Sequence, residues 1–186
     1  MVEVVRQLQQ EHASMARLLD VLERQIAVFR RGGGPDYDII EAVVDYCLIY
    51  PDQCHHPKED LVFQALQGRD PEAAESVGDL LADHEHLATL TRRIADAVRH
   101  ILQDSRMSRE WFAQLTMSFI DAYRQHMEME EKLFFPAALR SLSREDWAEI
   151  DQLVTDRDDP LFGSKVEKRF QALRDEILDL DGLAPG

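Results

Sequence analysis

Positive charge is scarce in this chain. Lys and Arg number 21 against 36 Asp and Glu, a formal net charge of −15 over 186 residues. Nucleic acids and anionic membranes both need clustered Lys and Arg, so neither is expected as a partner. Long apolar runs are also missing: none approaches the roughly 18 residues of a membrane-spanning helix. The opening "MVEVVRQLQQEH" lacks the apolar stretch of a secretion signal. Cysteine is limited to Cys47 and Cys54. On one helix these would stand about 10 Å apart, beyond disulfide reach. A cytoplasmic protein with reduced thiols is the expectation. No nucleophile triad, phosphate loop or dinucleotide fingerprint is present, which argues against a conventional hydrolase or dehydrogenase.

Strand-type alternation is nearly absent, and helical periodicity fills its place. The spacing predicts four long helices over about 2–29, 38–66, 71–103 and 108–139. "RRGGGPD" (30–36), "QGRDP" (67–71) and "DSRMS" (104–108) separate them, with Asp70 and Pro71 as N-cap and first-turn residues of the third. In the tail, "SREDW" (143–147) and "SKVE" (164–167) each place Ser three residues before an acid, the capping-box pattern of two short helices. The loop "DRDDPLFG" lies between them. The expected fold is all-α: an up-down-up-down antiparallel four-helix bundle over 1–140, with 141–186 a helical extension of the same domain packed on it.

Histidine spacing carries the functional signal. A carboxylate four residues after a histidine shares its helix face. Seven histidines among this many acids should give about 1.4 such pairs by chance, and there are four: His55–Glu59, His56–Asp60, His100–Asp104 and His126–Glu130. Their arrangement says more than their number. His12 precedes His55 by 43 residues and His84 precedes His126 by 42, each pair spanning one helical hairpin. At 1.5 Å rise per residue, partners in each hairpin fall within about one turn of each other. His12, His55, His84, His126, Glu59 and Glu130 therefore converge at one depth. Burying so many polar groups without a partner is costly, and a metal centre is the plainest compensation. Nitrogen and oxygen donors without thiolates suit iron, manganese or zinc. Two carboxylates inside a bundle favour a dinuclear iron or manganese site.

Pro57 raises a separate question. It cannot donate to the carbonyl of Gln53, and in a helix interior it costs about 3 kcal/mol. One reading is a local bulge that turns both His55 and His56 toward the metals. The other makes His56 a boundary residue and Pro57 the first position of a restarted helix. His86 and His100 fall on outward faces. Glu130 rather than Glu131 faces inward with His126 on a regular helix, so Glu128 and Glu131 are expected in solvent. Glu11 and Asp83, each adjacent to a clustered histidine, are expected on a solvated face, with orientation of a histidine N–H as the other reading. Asp60 is expected in solvent or supporting a ligand. Tyr46, Tyr50 and Tyr123 are read as core, with Tyr50 the one best placed to reach the centre. Phe63, Phe134, Met127 and Met129 are read as core, and Cys54 as a buried inert thiol.

"QEH" (10–12), "HHPKEDLVF" (55–63), "ADHEHL" (82–87) and "HMEMEEKLFFP" (126–136) resemble, in order, the four ligand segments of the haemerythrin-like (HHE cation-binding) family. The tail is similar to one bacterial branch of it. The resemblance implies a bundle around two iron ions, bridged by an oxo or hydroxo group and carboxylates. Its implied ligands are His12, His55, Glu59, His84, His126 and Glu130, with Glu59 and Glu130 as bridges. The family's oxygen carriers have a further histidine where this chain has Ala88, and His56 is the residue placed to replace it. The implied function is binding, sensing or reacting with dioxygen, nitric oxide or peroxide. An oxidase or peroxidase-like enzyme, an iron store or donor, and a metal-free helical interaction module stand as alternatives, and a homodimer is entertained as the assembly.

Overall fold

Side-chain caps set several helix starts. The Asp36 carboxylate accepts from the backbone N–H of Asp38 (3.1 Å) and Ile39 (3.2 Å), and Asp70 accepts from Ala73 (3.1 Å) ahead of Pro71. Ser108 accepts from Trp111, and Ser143 and Asp146 complete a reciprocal capping box. The computed structural model describes residues 2–102, 108–154 and 158–180. Its helices are α1 (Glu3–Arg30), α2 (Tyr37–Tyr50), α3 (His56–Arg69), α4 (Pro71–Val77), α5 (Leu80–Leu102), α6 (Arg109–Met129), α7 (Phe135–Ser141), α8 (Arg144–Leu153) and α9 (Gln171–Leu180). Wide π-helical turns, Pro51–His55 and Glu130–Phe134, join α2 to α3 and α6 to α7. Four long helical rods result, formed by α1, α2–α3, α5 and α6–α7. No strand occurs among the described residues, and none of their helices is long and apolar enough to cross a membrane.

Two expectations are corrected. The third long helix is interrupted: Gly78 has φ +97°, a backbone conformation open to glycine. Asp79 then restarts the helix by accepting from Ala82. The apolar stripe runs straight across this break, so periodicity did not register it. In the tail, Ser164 does not cap a helix. Its N–H and hydroxyl both bond to the Asp158 carboxylate, and helix resumes only with a single 3-10 turn at Lys168–Phe170 leading into α9. The turn expected at 104–108 lies, apart from Ser108, outside the described residues, as do Gln103 and positions 155–157 of the tail.

The core has two apolar regions with the histidines between them. Along α1, Leu8 belongs to one region and Met15 to the other, with Glu11 and His12 in the gap. On the second rod Tyr50 and Val62 stand on either side of His55, His56 and Glu59. On α5 Leu80 and Leu87 flank His84, and on the fourth rod Tyr123 and Phe134 bracket His126 and Glu130. Phe63 and Phe134 meet edge-on at 5.9 Å, closing one side of the gap with an aromatic lid. Of the tail helices, α8 packs on α3 and α9 on α1 and α2.

Candidate metal centre

The π turns do the local positioning. His56 donates its backbone N–H to the carbonyl of Pro51, five residues back, and Phe135 does the same to Glu130. In each case a proline follows at the next position, Pro57 or Pro136. A proline ring crowds the carbonyl four residues back and brings no N–H to bond it. An extra residue in the preceding turn is therefore cheap there, because the regular ladder is already broken. On an ordinary helix His55 and His56 would point about 100° apart. Here both are buried, at 0% and 4% exposure. The structure combines the two readings of Pro57: a wide turn precedes it, and a new helix, α3, starts at His56 with Pro57 and Glu59 in its first turn.

Two groups of side chains result: His12, His55, Glu59 and Glu130 in one, and His56, Glu59, His84 and His126 in the other. Within each group the potential ligand atoms all lie within 4.8 Å of one another. Glu59 turns Oε1 to His12 Nε2 (3.4 Å) and His55 Nε2 (3.1 Å), and Oε2 to His84 Nε2 (3.4 Å). Glu130 turns Oε2 to His12 Nε2 (3.2 Å) and Oε1 to His126 Nε2 (3.3 Å). Each carboxylate thus gives one oxygen to each side. The His56 ring stacks on that of His84 at 4.3 Å between centroids. Nε2 of His12, His55, His84 and His126 and all four oxygens of Glu59 and Glu130 are buried without a hydrogen-bond partner. Buried polar atoms are normally satisfied, and such a concentration of exceptions needs a cause. The donor set fits a pair of cations.

Supporting carboxylates fix the outer ring nitrogens. Glu11 lies 2.7 Å from His55 Nδ1, Asp60 2.7 Å from His84 Nδ1, and Glu131 3.1 Å from His12 Nδ1. With Nδ1–H donated outward, each Nε2 lone pair faces the gap. Each acid sits beside a clustered residue on its own helix yet serves a histidine on another. Glu11 also accepts from Lys58 Nζ (2.6 Å) and Tyr50 Oη (3.0 Å), all three residues being buried. The expectation that Glu11 and Glu131 are solvated is therefore overturned, while exposed Asp83 and Glu128 match it. Glu131 was misplaced by regular-helix geometry, since the π turn beginning at Glu130 changes its direction. The sequence signal for all three was adjacency to a clustered residue.

Electrostatics follow from this crowding. Burial works against a charged His12 ring, but the carboxylates of Glu130, Glu131 and Glu59 outweigh it and raise its pKa to about 11. His84 rises to about 11 too, burial being overcome by Asp60, Glu130 and Glu59. His56 and His126 fall below their usual value, through burial and, among the charges around them, the neighbouring histidines. Burial pushes the Glu59 carboxyl up, yet His55, His12 and His84 hold it well below the usual range. The carboxylates thus favour protons on His12, His55 and His84, while the rings of His56 and His126 are driven toward the neutral form.

Residues 3–138 match the family described as "Hemerythrin HHE cation binding domain". The chain belongs to that family. No match was found among curated proteins or solved structures. In this haemerythrin-family chain all seven residues singled out by spacing and resemblance, His12, His55, His56, Glu59, His84, His126 and Glu130, come together. His86 and His100 are exposed and take no part. Tyr50 reaches Glu11, Tyr46 donates instead to Asp159 (2.8 Å), and the buried Tyr123 hydroxyl has no partner. Cys47 and Cys54 are buried free thiols. Phe135, not anticipated, stacks on His12 at 5.4 Å.

Proposed function

We propose that this protein holds a non-haem di-iron centre and binds, senses or reacts with dioxygen, nitric oxide or peroxide there. One observation carries the reading: Glu59 and Glu130 each divide their two oxygens between two sets of buried imidazoles. A single ion has no use for that division, and two do. Iron is favoured over zinc because a bridged pair of carboxylates in a helical bundle is the usual setting of dinuclear iron and manganese sites. Bound iron would supply Lewis acidity and exchange electrons with the small ligand. The chain's own residues bind and orient: Glu11, Asp60 and Glu131 hold three imidazoles in one tautomer, and Phe63, Phe134 and Phe135 exclude water from the adjoining face. His12 and His55 make one set and His56, His84 and His126 the other, so the first has fewer imidazole donors and more room for an external ligand.

Metal analysis of protein purified without chelators tests this. About two irons per chain are expected, falling below one in Glu59→Ala. A folded wild type that carries no metal would overturn the reading in favour of a helical interaction module. A visible spectrum then separates roles: a band that returns on each cycle of reduction and aeration marks a reversible binder, whereas steady consumption of oxygen or peroxide with a reductant marks an enzyme.

A further inference from the structure

A second feature concerns how a cation reaches the centre, and it rests on the metal-binding reading above. A hollow of about 230 Å³ lies between α5 and α6, with Asp83 and His86 on one wall and Gln125 and Met129 on the other. His126 forms part of its lining. Asp83 and His86 are both exposed and sit three residues apart, on the same side of α5. One is a carboxylate and the other an imidazole, the donors that iron and manganese accept. A larger hollow of about 490 Å³ on the opposite side of the molecule's centre is lined by Glu11 and Tyr50. There the carboxylate is already engaged by three donors, so it bars the way to His55.

His126 differs from the other clustered histidines. Carboxylates hold Nδ1 of His12, His55 and His84, and Asp52 approaches that of His56 at 3.6 Å. Neither ring nitrogen of His126 has a hydrogen-bond partner, although the residue is only 7% exposed. It is thus the clustered ring whose outer nitrogen no carboxylate approaches, and it borders the hollow. We propose that this hollow is the port by which divalent cations enter the centre, with Asp83 and His86 as passing ligands at the mouth and His126 as the inner acceptor. The net charge of −15 adds a field that draws cations to the surface as a whole. The two rim residues focus that attraction at one place.

The test is the rate of metal uptake. Protein freed of metal is mixed under nitrogen with ferrous iron, and free iron is followed by stopped-flow with a chromophoric chelator. Asp83→Asn with His86→Ala is expected to slow uptake about tenfold, within the range of electrostatic steering, and to leave the final iron per chain unchanged. Ala122→Phe, which fills the hollow from α6, should slow it as well. Asp38→Asn removes the same charge far from the port and should keep the wild-type rate. Unchanged uptake in the rim variant, equal slowing in Asp38→Asn, or a reduced final iron content in the rim variant each overturns the port. A wild type that takes up no iron at all defeats the metal centre itself, a different result.

Discussion

Replacing Glu11 with glutamine separates two jobs that one carboxylate performs. Glu11 accepts from His55 Nδ1, Tyr50 Oη and Lys58 Nζ, and Lys58 is only 2% exposed. Burial alone would raise the Glu11 pKa, but the hydrogen bonds and charges of His55 and Lys58 reverse this and lower it. The neutral amide keeps the shape and loses the charge, leaving a buried ammonium unpaired. Breaking a buried ion pair from one side costs about 3–5 kcal/mol. The retained amide oxygen places this case near the lower figure, about 3 kcal/mol, which lowers the thermal midpoint of a chain this size by about 6–12 °C. Adding Lys58→Met removes the stranded charge, so the double variant should recover much of the loss, with a coupling of about 2 kcal/mol in a urea-denaturation cycle on metal-free protein. Metal affinity should behave differently. Loss of the carboxylate behind His55 weakens binding by about 10–100-fold, and Lys58→Met cannot restore it. Additive stability effects, or an affinity for iron that survives Glu11→Gln, would refute the reasoning.

Three further outcomes are expected. His56→Ala should leave the group around His12 and His55 able to hold an ion and reduce iron from about two per chain to about one, read by elemental analysis. In metal-free protein, His12 and His84 have pKa values raised to about 11 from 6.5. Their contribution to stability is complete below pH 6.5 and fades as pH rises toward 11. Thermal midpoints of metal-free protein should accordingly fall between pH 7 and pH 10, while those of loaded protein change little. Loading at pH 7 should release at least two protons per chain, one from each of these rings, with His55, whose pKa is raised despite burial by Glu59 and Glu11, adding to the count; a pH indicator in weak buffer measures it.

Much of this architecture was legible because helices obey a simple period. The four rods, the N-cap at Asp70, the capping box at Ser143 and the pairing of His55 with Glu59 and His126 with Glu130 all follow from spacing along one helix. What escaped depends on other helices. Adjacency to His12 points to Glu11 as a support, but its burial requires Lys58, Tyr50 and His55 arriving from the second rod. Gly78 broke a helix without disturbing the apolar stripe around it. Pro136 carries the same signal as Pro57, a proline just after a wide turn, but lies inside the fourth expected helix. Glu131 was consequently assigned the direction of a regular helix. Ser164 had a capping pattern locally and a better acceptor in Asp158.

The cross-helix support has a mechanical side. Glu11 and His12 are neighbours on α1, but one steadies a ring from the second rod while the other joins both inner carboxylates. Asp60 and Glu59, and Glu131 and Glu130, divide their tasks in the same way. Sliding α1, α2–α3 or the α6–α7 rod by a single residue, about 1.5 Å of travel with a turn of about 100°, would therefore spoil two stations together, its own donor and the brace it lends elsewhere. The centre works as a gauge for rod alignment, and the misaligned packings that two greasy regions alone would tolerate are rejected by the polar layer between them.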